Sequence, residues 1–305
     1  MRALITVVGS LNMDFVVQVE RLPRAGETVL GGGFATLPGG KGANQACAAA
    51  RLGGRVRMVG RVGDDVFGSE LRRGLAAEGV DTQAVLVSEA TPSGVALICV
   101  ESSAQNQIVV ASGANARLTP DDVAAALAGA PDGFLLLQLE SPLETVEHAA
   151  MLGARRGLYV VLDPAPARPL PNALLAHLSC FTPNESEAAA LLKRRDGTVS
   201  LADAPEAARA LRARGARTVI LKLGAQGAYA DDGSGGRHFP APQVAAVDTT
   251  AAGDTFNGAL AVALAEGRPL PEAVAFANTA AALSVTRKGA QASIPTRAAV
   301  DGFLA

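Results

Sequence analysis

The sequence predicts an α/β protein with a doubly wound, mostly parallel sheet, helices on both faces, and a small antiparallel β-sheet lid. Two observations support this fold class. Apolar runs of strand length alternate with longer amphipathic stretches along most of the 305 residues, and most runs are apolar throughout, as in parallel strands covered on both faces. Two segments interrupt the alternation, because they contain period-two stretches without a helix between them.

The core elements are expected in strand–helix order, which is typical of a doubly wound sheet. Strands are predicted at residues 3–9, 55–60, 134–139, 158–163, 179–184 and 218–224. Helices are predicted at residues 42–52, 67–78, 119–129, 142–155, 184–193, 203–214, 253–266 and 270–286, with a short hairpin before the last two. Segments 1–11, 36–92 and 112–305 are therefore expected to form one α/β core.

The two interrupting segments, 12–35 and 93–111, are expected to form the lid. The stretch DFVVQVE roughly alternates apolar and polar residues, and the second segment is typical of a hairpin with its turn around Ser102–Asn106. A sheet this small cannot bury both faces. One face is therefore expected to cover a site in the core, and the other to pair with a second subunit.

Composition and charge argue against several classes of partner. The formal net charge is −2, with 27 Lys and Arg against 29 Asp and Glu, and no basic stripe indicates nucleic acid. No apolar run approaches the ~18 residues of a membrane span, and the apolar start is too short for a signal peptide, so a cytoplasmic protein is expected. The scattered Cys47, Cys99 and Cys180 lack metal or disulfide spacing.

A glycine-rich turn, GGKGAN at 39–44, precedes a predicted helix. Such a turn lets backbone amides approach a ligand closely. The nucleotide-binding templates do not fit, because a Walker A motif fails at Ala35 and Gly42 and the Rossmann pattern fails at Gln45. Lys41 can only donate hydrogen bonds, whereas Asn44 can donate and accept, a combination that suits sugar hydroxyls. The alternative is a plain tight turn.

Polar residues also follow two predicted strands. Asn12 and Asp14 come after the first strand, and Glu140 comes after the strand at 134–139. In open α/β sheets, ligands bind outside the carboxyl ends of the strands. The pair at 12 and 14 could hold vicinal hydroxyls. The alternatives are ordinary turn residues for Asn12 and Asp14, and an acid favoured by a helix dipole for Glu140.

The stretch TPNESE at 182–187 joins a predicted strand to a helix. Asn184 is placed to cap that helix. The functional interpretation puts Asn184 near phosphates and Glu187 near a hydrated Mg²⁺, an ion that often takes only one or two carboxylates. Both interpretations stay open on the residues alone.

The stretch VDTTAAGDTFNGAL, which begins at Val247, ends in the start of a long helix. The backbone amides of residues 251–254 would be unpaired and could bind an anion. Asp254 would stay ionised in the field of the helix. It could accept the proton of an attacking hydroxyl while the amides stabilise a transferred phosphoryl group. The alternative is helix capping, for which Thr249 and Thr250 are also available.

Taken together and in this order, these stretches resemble the signature regions of the PfkB family of carbohydrate kinases. The similarity covers nearly the whole chain. It is carried by GGKGANQA (39–46), QLESPLE (138–144), DPAPAR (163–168), TPNESEA (182–188), DTTAAGDTFNGAL (248–260) and VTRKGAQASIP (285–295).

The resemblance implies a role for each matching residue. It makes Asp254 the catalytic base, with an anion hole formed by Ala251, Ala252 and Gly253. Sugar contacts are implied for Asn12, Asp14, Gly40, Lys41, Asn44, Glu140 and Asp254. ATP contacts are implied for Asn184, Lys222, Leu223, Gly224, Ala225, Gln226, Gly227, Gly253 and Asn278, and Glu187 would help to organise Mg²⁺. A monovalent cation, usually K⁺, would be held by Asp248, Thr250, Ser284, Arg287, Gly289 and Ser293.

The resemblance also implies the reaction, and agreement beyond the signatures favours the ribose-phosphorylating members. The expected activity is ATP-dependent phosphorylation of the 5-hydroxyl of D-ribose, giving D-ribose 5-phosphate and ADP, in a homodimer joined through the lid sheets. The family often has a bulky aliphatic residue in place of Thr250, and Lys222 is a further position where variation is expected. Alternatives are a kinase for deoxyribose, fructose or a nucleoside, and a non-catalytic sugar-binding protein.

Overall fold

The computed structural model describes residues 3–101, 106–129 and 132–304. The strands are β1 (Leu4–Val8), β2 (Asn12–Val19), β3 (Phe34–Gly39), β4 (Arg55–Gly63), β5 (Asp81–Ser88), β6 (Gly94–Glu101), β7 (Asn106–Ala111), β8 (Gly133–Leu137), β9 (Tyr159–Leu162), β10 (Cys180–Phe181), β11 (Thr218–Lys222), β12 (Ala228–Asp231) and β13 (Arg237–Phe239). The helices are α1 (Lys41–Arg51), α2 (Val66–Ala77), α3 (Pro120–Leu127), α4 (Leu143–Arg155), α5 (Asn172–Leu175), α6 (Glu185–Leu191), α7 (Ala204–Arg212), α8 (Ala252–Ala265), α9 (Leu270–Ser284) and α10 (Arg297–Leu304).

The large sheet has nine strands in the order β13-β12-β11-β10-β9-β8-β1-β4-β5. The seven strands from β11 to β5 are parallel, whereas β12 and β13 are antiparallel at one edge. The predicted doubly wound, mostly parallel sheet is confirmed. No helix in the described part of the chain is both long and apolar enough to cross a membrane.

Apolar side chains from the central strands enter two separate cores, one on each face of the sheet. In β8, Leu136 joins the cluster that includes α1, α8 and α9, whereas Leu135 and Leu137 join the cluster that includes α3, α4 and α7. Successive side chains of a strand point to opposite faces. An apolar run without polar breaks is therefore what a strand covered by helices on both faces requires.

The carboxyl ends of the parallel strands place polar side chains along one edge of the sheet. Ser10 follows β1, Glu140 follows β8, Asp163 follows β9, and Lys222 ends β11. Helix α1 begins close to this edge, because the N–H of Ala43 donates to the carbonyl of Ser10 at 2.9 Å. The topology therefore gathers the predicted sugar and phosphate residues at the edge where open α/β sheets bind ligands.

The lid is a separate four-stranded sheet in the order β3-β2-β6-β7. The β2–β3 and β6–β7 pairs are antiparallel, as predicted, but β2 and β6 are parallel. The prediction of an antiparallel lid is therefore wrong for the central pair, β2 and β6. The reason is that β2 and β6 follow β1 and β5, which are both parallel strands of the core, so the two strands leave the core in the same direction.

Some boundaries differ from the predictions. Strand β3 continues to Gly39, past the expected lid limit at residue 35, and the predicted turn at Ser102–Asn106 lies mostly outside the described residues. The division of the chain into core and lid stays a prediction. Strand β5 and helix α10 were not predicted, because β5 is a partly exposed edge strand and α10 buries only Val300. Strand β10 is limited to Cys180–Phe181, although 179–184 was expected.

Candidate active site

Helix α8 begins with an uncapped amino end directly before Asp254. Ala251 occupies the N-cap position with a φ of 59°, and no side chain among the described residues caps the helix. Capping by Asp254, Thr249 or Thr250 is therefore not the role of these residues. The N–H of Ala252 donates to the carbonyl of Thr249 at 3.3 Å, contrary to the expectation that it would be unpaired. The N–H groups of Gly253 and Asp254 have no backbone acceptor in the described residues.

A left-handed conformation at Ala251 is uncommon for a residue with a side chain and costs on the order of 1–3 kcal/mol. Such strain persists where the surrounding structure holds it and is found preferentially at functional sites. Here it turns the chain directly into α8, so that the first amides of the helix lie beside a buried carboxylate. This combination of free N–H groups and a helix start is suited to an anion.

The Asp254 side chain is buried, with 5% of the residue exposed. One carboxylate oxygen accepts from Asn44 Nδ2 at 2.9 Å and the other from Gln45 Nε2 at 3.2 Å. Burial raises the pKa of Asp254 to about 6, although Lys41 opposes the rise. A carboxylate with a pKa near neutrality is ionised at physiological pH and still basic enough to take a proton.

The glycine-rich turn sets up the beginning of α1. Gly40 has a φ of 87°, and a side chain there would place its Cβ 2.7 Å from the backbone nitrogen of Asn12, so only glycine fits. The N–H of Lys41 donates to Glu140 Oε2 at 3.0 Å. Glu140 therefore stabilises the start of α1, and not the helix that follows it in the sequence. Ser10 Oγ donates to the same carboxylate oxygen.

Asn12 and Asp14 lie at the start of β2, where the lid joins the core. Asn115 Nδ2 donates to Asn12 Oδ1 at 2.7 Å and thereby fixes the amide of Asn12. Burial raises the pKa of Asp14 to about 7, and the charges of Glu140 and Asp254 add to the rise. The same two carboxylates keep the ammonium of Lys41 charged, since their attraction outweighs the effect of burial and raises its pKa.

Asn44 has an unsatisfied polar atom in this region. Its Nδ2 is bound to Asp254, but its buried Oδ1 has no hydrogen-bond partner among the described residues. A buried acceptor without a partner costs about 1–3 kcal/mol. A ligand hydroxyl that donates to Asn44 would remove this cost. The residues predicted to hold the sugar are therefore brought together by the fold, with one acceptor left open.

Two buried residues that were not predicted join the base to the nucleotide side of the site. Gln45 Nε2 donates both to Asp254 and to Asp163 Oδ2, the latter at 3.1 Å. Lys222 Nζ donates to Asp163 Oδ1 at 2.7 Å. Both residues had a signal in the sequence, since Asp163 directly follows an apolar strand, as Glu140 does, and Gln45 is the next residue after Asn44.

Asn184 and Glu187 form a capping box at the start of α6. The Asn184 side chain accepts from the N–H of Glu187 at 2.8 Å, and Glu187 accepts from the N–H of Asn184 at 2.8 Å and from its Nδ2 at 2.9 Å. The predicted helix cap is confirmed. Burial raises the pKa of Glu187, while Lys222 opposes the rise.

The predicted ATP loop follows β11. Residues Gly224–Gln226 form an exposed turn of 3-10 helix, and Asn184 bridges to Lys222 as a short extension of the sheet. Asn278 is buried in α9, and its Nδ2 donates to the carbonyl of Phe239 at 2.8 Å. The amide of Asn278 therefore holds the end of β13, and its carbonyl oxygen is the group that remains for a ligand.

The predicted cation residues lie on two loops that the structure joins, apart from Ser284, which ends α9 directly before the second loop. Asp248 accepts from the N–H of Thr250 at 2.9 Å and its hydroxyl at 2.6 Å, and from the N–H of Gly289 at 2.9 Å. The hydroxyl of Ser284, the last residue of α9, donates to the carbonyl of Ala281 in the same helix, and that of Ser293 donates to the carbonyl of Ala290. Arg287 is exposed. Partial burial raises the pKa of Asp248, but hydrogen bonds from Thr250 and Gly289 outweigh it, so the pKa lies below its usual value.

A buried carboxylate beside the open amino end of a helix, with hydroxyl-binding groups next to it, defines a phosphotransferase that uses an alcohol group as acceptor. A model of the pfkB family of carbohydrate kinases matches residues 2–297. The chain is 43% identical over 308 residues to a ribokinase of Haemophilus influenzae, covering 100% of this chain and 99% of the relative. It is 38% identical over 294 residues to a deoxyribokinase of Salmonella typhi, covering 96% and 95% of the two chains.

A solved structure of a ribokinase is also similar to this chain. The Arabidopsis thaliana ribokinase complexed with ribose and ATP superimposes with a TM-score of 0.90 at 35% identity, covering 100% of this chain and 99% of that one. The chain belongs to the pfkB family of carbohydrate kinases.

Proposed function

We propose that this protein is an ATP-dependent kinase that phosphorylates the 5-hydroxyl of D-ribose and releases D-ribose 5-phosphate and ADP. The observation that carries the proposal is the placement of Asp254, buried between Asn44 and the free amides at the start of α8. The similarity to a ribokinase along the full chain supports ribose as the acceptor. The solved relative complexed with ribose and ATP supports ATP as the donor.

In the proposed reaction, Asp254 accepts the proton of the sugar hydroxyl as its oxygen attacks the γ-phosphorus. The bond from the γ-phosphorus to the bridging oxygen of ATP breaks, and ADP leaves with that electron pair. The amides of Gly253 and Asp254 donate to the oxygens of the transferred group. Because these donors are already in position, they stabilise the transition-state charge without reorganisation.

The residues around Asn184 fit a hydrated Mg²⁺. Both oxygens of Glu187 already accept hydrogen bonds from Asn184, so Glu187 would hold the ion through water, as Mg²⁺ often requires. When bound, the ion would neutralise charge on the phosphates. Asn278 and the loop from Lys222 to Gly227 are proposed to contact the nucleotide, together with Asn184.

A monovalent cation, K⁺, is proposed between the two loops that Asp248 joins. The observation in favour is that Asp248 binds Thr250 on its own loop and Gly289 on the other, which brings their carbonyl oxygens into one region. Thr250, Ser284, Arg287, Gly289 and Ser293 are the proposed remaining contributors, several through backbone carbonyls. These loops flank the start of α8, so an ion there would act on the anion hole.

The second candidate is a kinase for deoxyribose, which the similarity to a deoxyribokinase favours. The two sugars differ by the 2-hydroxyl, so the open acceptor of Asn44 and the carboxyl of Asp14 are the groups that can discriminate between them. The test is a coupled ADP-release assay over a panel of pentoses, hexoses and nucleosides, with and without K⁺. A higher kcat/KM for another sugar or a nucleoside would replace ribose as the acceptor and leave the kinase assignment intact.

A homodimer joined through the lids is also proposed. The lid strands have large apolar side chains that are exposed in the single chain: Phe34, Leu97, Ile108, Val109 and Val110. Exposed apolar patches often mark interaction sites. Sedimentation should give a dimer for the wild type and a monomer for Leu97→Glu, and an unchanged mass for both proteins would exclude this interface. A cytoplasmic location is proposed as well, since the reaction consumes ATP.

A further inference from the structure

A buried ion pair between Lys222 and Asp163 lies beside the start of α8. The side chain of Lys222 is 12% exposed and that of Asp163 is 3% exposed. Burying two charges is costly, and replacement of such a pair by apolar groups is often neutral or stabilising. Fold stability therefore gives little reason to keep this pair at this position.

The ammonium of Lys222 faces the proposed anion hole. A Cβ added to Gly253 would lie 3.2 Å from Lys222 Nζ. Glycine at this position leaves the space between the ammonium and the first turn of α8 open. The cation therefore lies next to the free N–H of Gly253, within reach of any phosphoryl group bound there.

Asp163 connects this cation to the base. It accepts from Lys222 with one oxygen and from Gln45 with the other, and Gln45 also donates to Asp254. The N–H of Asp163 donates to the carbonyl of Leu137 at 2.9 Å, which fixes its backbone at the end of β9. One rigid chain of hydrogen bonds therefore sets the positions of the ammonium and the base relative to each other.

The charges in this region explain why a phosphate would need Lys222. Five carboxyl groups surround the site, and the cations that act on them within the described residues are Lys41 and Lys222. These are two of the four lysines in the chain. Attraction to Asp163 and Glu187 outweighs the effect of burial and raises the pKa of Lys222, so its ammonium stays charged. An incoming triphosphate would meet a negative surface without this cation.

We propose that Lys222 is a catalytic residue whose ammonium donates to a non-bridging oxygen of the transferred phosphoryl group, and that Asp163 is a positioning residue that holds it there. The inference rests on the proposed kinase function. Lys222 keeps its protons throughout the reaction. The hydroxyl proton moves to Asp254, the new bond forms from the sugar oxygen to phosphorus, and ADP leaves. The role of Lys222 is to stabilise the negative charge that develops on the phosphoryl oxygens in the transition state of this transfer.

The test compares wild type with Lys222→Met by steady-state kinetics and by binding of a transition-state mimic. Loss of one such donor typically lowers kcat by about 10²–10³-fold, and we expect a loss in this range. The affinity for ADP with aluminium fluoride and ribose should fall by a comparable factor. The affinity for ADP alone should change by less than about threefold, because the contact belongs to the transferred group. Lys193→Met, at an exposed lysine, is the matched control and should behave as wild type.

The variant Asp163→Asn tests the positioning role. Without the neighbouring carboxylate, burial should lower the pKa of Lys222. The ammonium would then lose its proton at a lower pH. In a plot of kcat against pH, the decrease on the alkaline side should therefore begin at a lower pH in the variant than in wild type. A merely structural pair would not move this decrease.

The double variant Asp163→Asn, Lys222→Met covers the case in which Lys222→Met fails to fold because Asp163 is left unpaired. It should fold and still show the loss in kcat and in affinity for the mimic. Recovery of both values to wild-type levels would show that the pair only stabilises the fold, and would overturn the proposal. Ribose turnover by the wild type tests the kinase function separately, since the proposal for Lys222 depends on ratios between variants.

Discussion

Two aspartates six residues apart, Asp248 and Asp254, have opposite environments. Asp254 is buried at the start of α8, and the donors to its carboxylate are side-chain amides of α1. Asp248 is only partly buried, and its donors belong to the two loops that precede α8 and follow α9. Burial raises the pKa of Asp254, whereas hydrogen bonds lower that of Asp248.

The difference shows that burial and hydrogen bonding set the pKa of an aspartate, and therefore which role the side chain can have. Within the described residues, the side chain of Asp254 accepts two hydrogen bonds, both from neutral amides, in a site of low solvent access, so it retains basicity. Asp248 accepts three hydrogen bonds, two of them from backbone N–H groups, and these stabilise its ionised form. The first arrangement suits proton transfer, and the second suits a permanent link between loops.

The largest expected effect is that of Asp254→Asn. General-base catalysis typically contributes ~10²–10⁴-fold, so kcat should fall by at least about a hundredfold while the affinity for ribose stays similar. Stopped-time measurement of ADP release and titration calorimetry with ribose give the two values. The control is Asp121→Asn, at an exposed position in α3, which should retain full activity. Near-wild-type kcat in Asp254→Asn would remove Asp254 as the base.

The next effect concerns the cation. Asp248→Ala removes the acceptor that joins Thr250 to Gly289, so the K⁺ concentration for half-maximal activity should rise. Loss of a group that orients metal ligands typically costs about 10–100-fold in affinity. The measurement is kcat against K⁺ in a buffer whose counterion is a large organic cation. If wild type is equally active with and without K⁺, or if the variant has an unchanged K⁺ response, the proposed link between Asp248 and the ion is wrong.

The pH dependence should separate the two aspartates. Asp254 must be ionised to accept a proton, so kcat should fall about tenfold per pH unit below a pKa of about 6. The residual activity of Asp254→Asn should lack this limb.

The same pKa shifts predict opposite trends in stability. The pKa of Asp254 in the folded protein lies above its ordinary value of 3.8, so its contribution to stability falls as the pH rises from about 4 to 6. The folded pKa of Asp248 is lowered, so its contribution is lost as the pH falls. Relative to wild type, Asp254→Asn should therefore gain free energy of unfolding between pH 4.5 and 7, whereas the deficit of Asp248→Asn should shrink only as the pH falls from 4.5 to 3. Denaturant unfolding at pH 3, 4.5 and 7 measures both trends.

The sequence was sufficient to predict the core sheet, because parallel strands covered on both faces require continuous apolar runs. It was not sufficient for β5, a partly exposed edge strand with few buried residues. The parallel pairing of β2 with β6 was not predicted, because the direction of each strand depends on the direction of the core strand that precedes it. A period-two pattern does not contain that information.

The candidate site was predictable where a residue lies in a motif, as Asn44 and Asp254 do. Gln45 and Asp163 were missed because their relation is created only by folding. They are 118 residues apart, and their contact depends on α1 lying against the end of β9. The alternative prediction, that Asp254 caps the helix, is wrong. Ala251 is the N-cap residue, it has a left-handed conformation, and no side chain among the described residues caps it.

The smallest expected effect is that of Thr250→Val, which tests how the Asp248 loop is held. The substitution removes the 2.6 Å hydrogen bond from the hydroxyl to Asp248 but keeps the 2.9 Å bond from the N–H. The carbonyl proposed to face the cation is also kept. A hydrogen bond of this kind contributes about 0.5–1.5 kcal/mol, and less at an exposed position such as this one, so K⁺ activation and kcat should change by less than about twofold. A loss as large as that of Asp248→Ala would mean that the hydroxyl of Thr250 itself binds the ion. The proposal that Thr250 binds the ion through its backbone carbonyl would then be wrong.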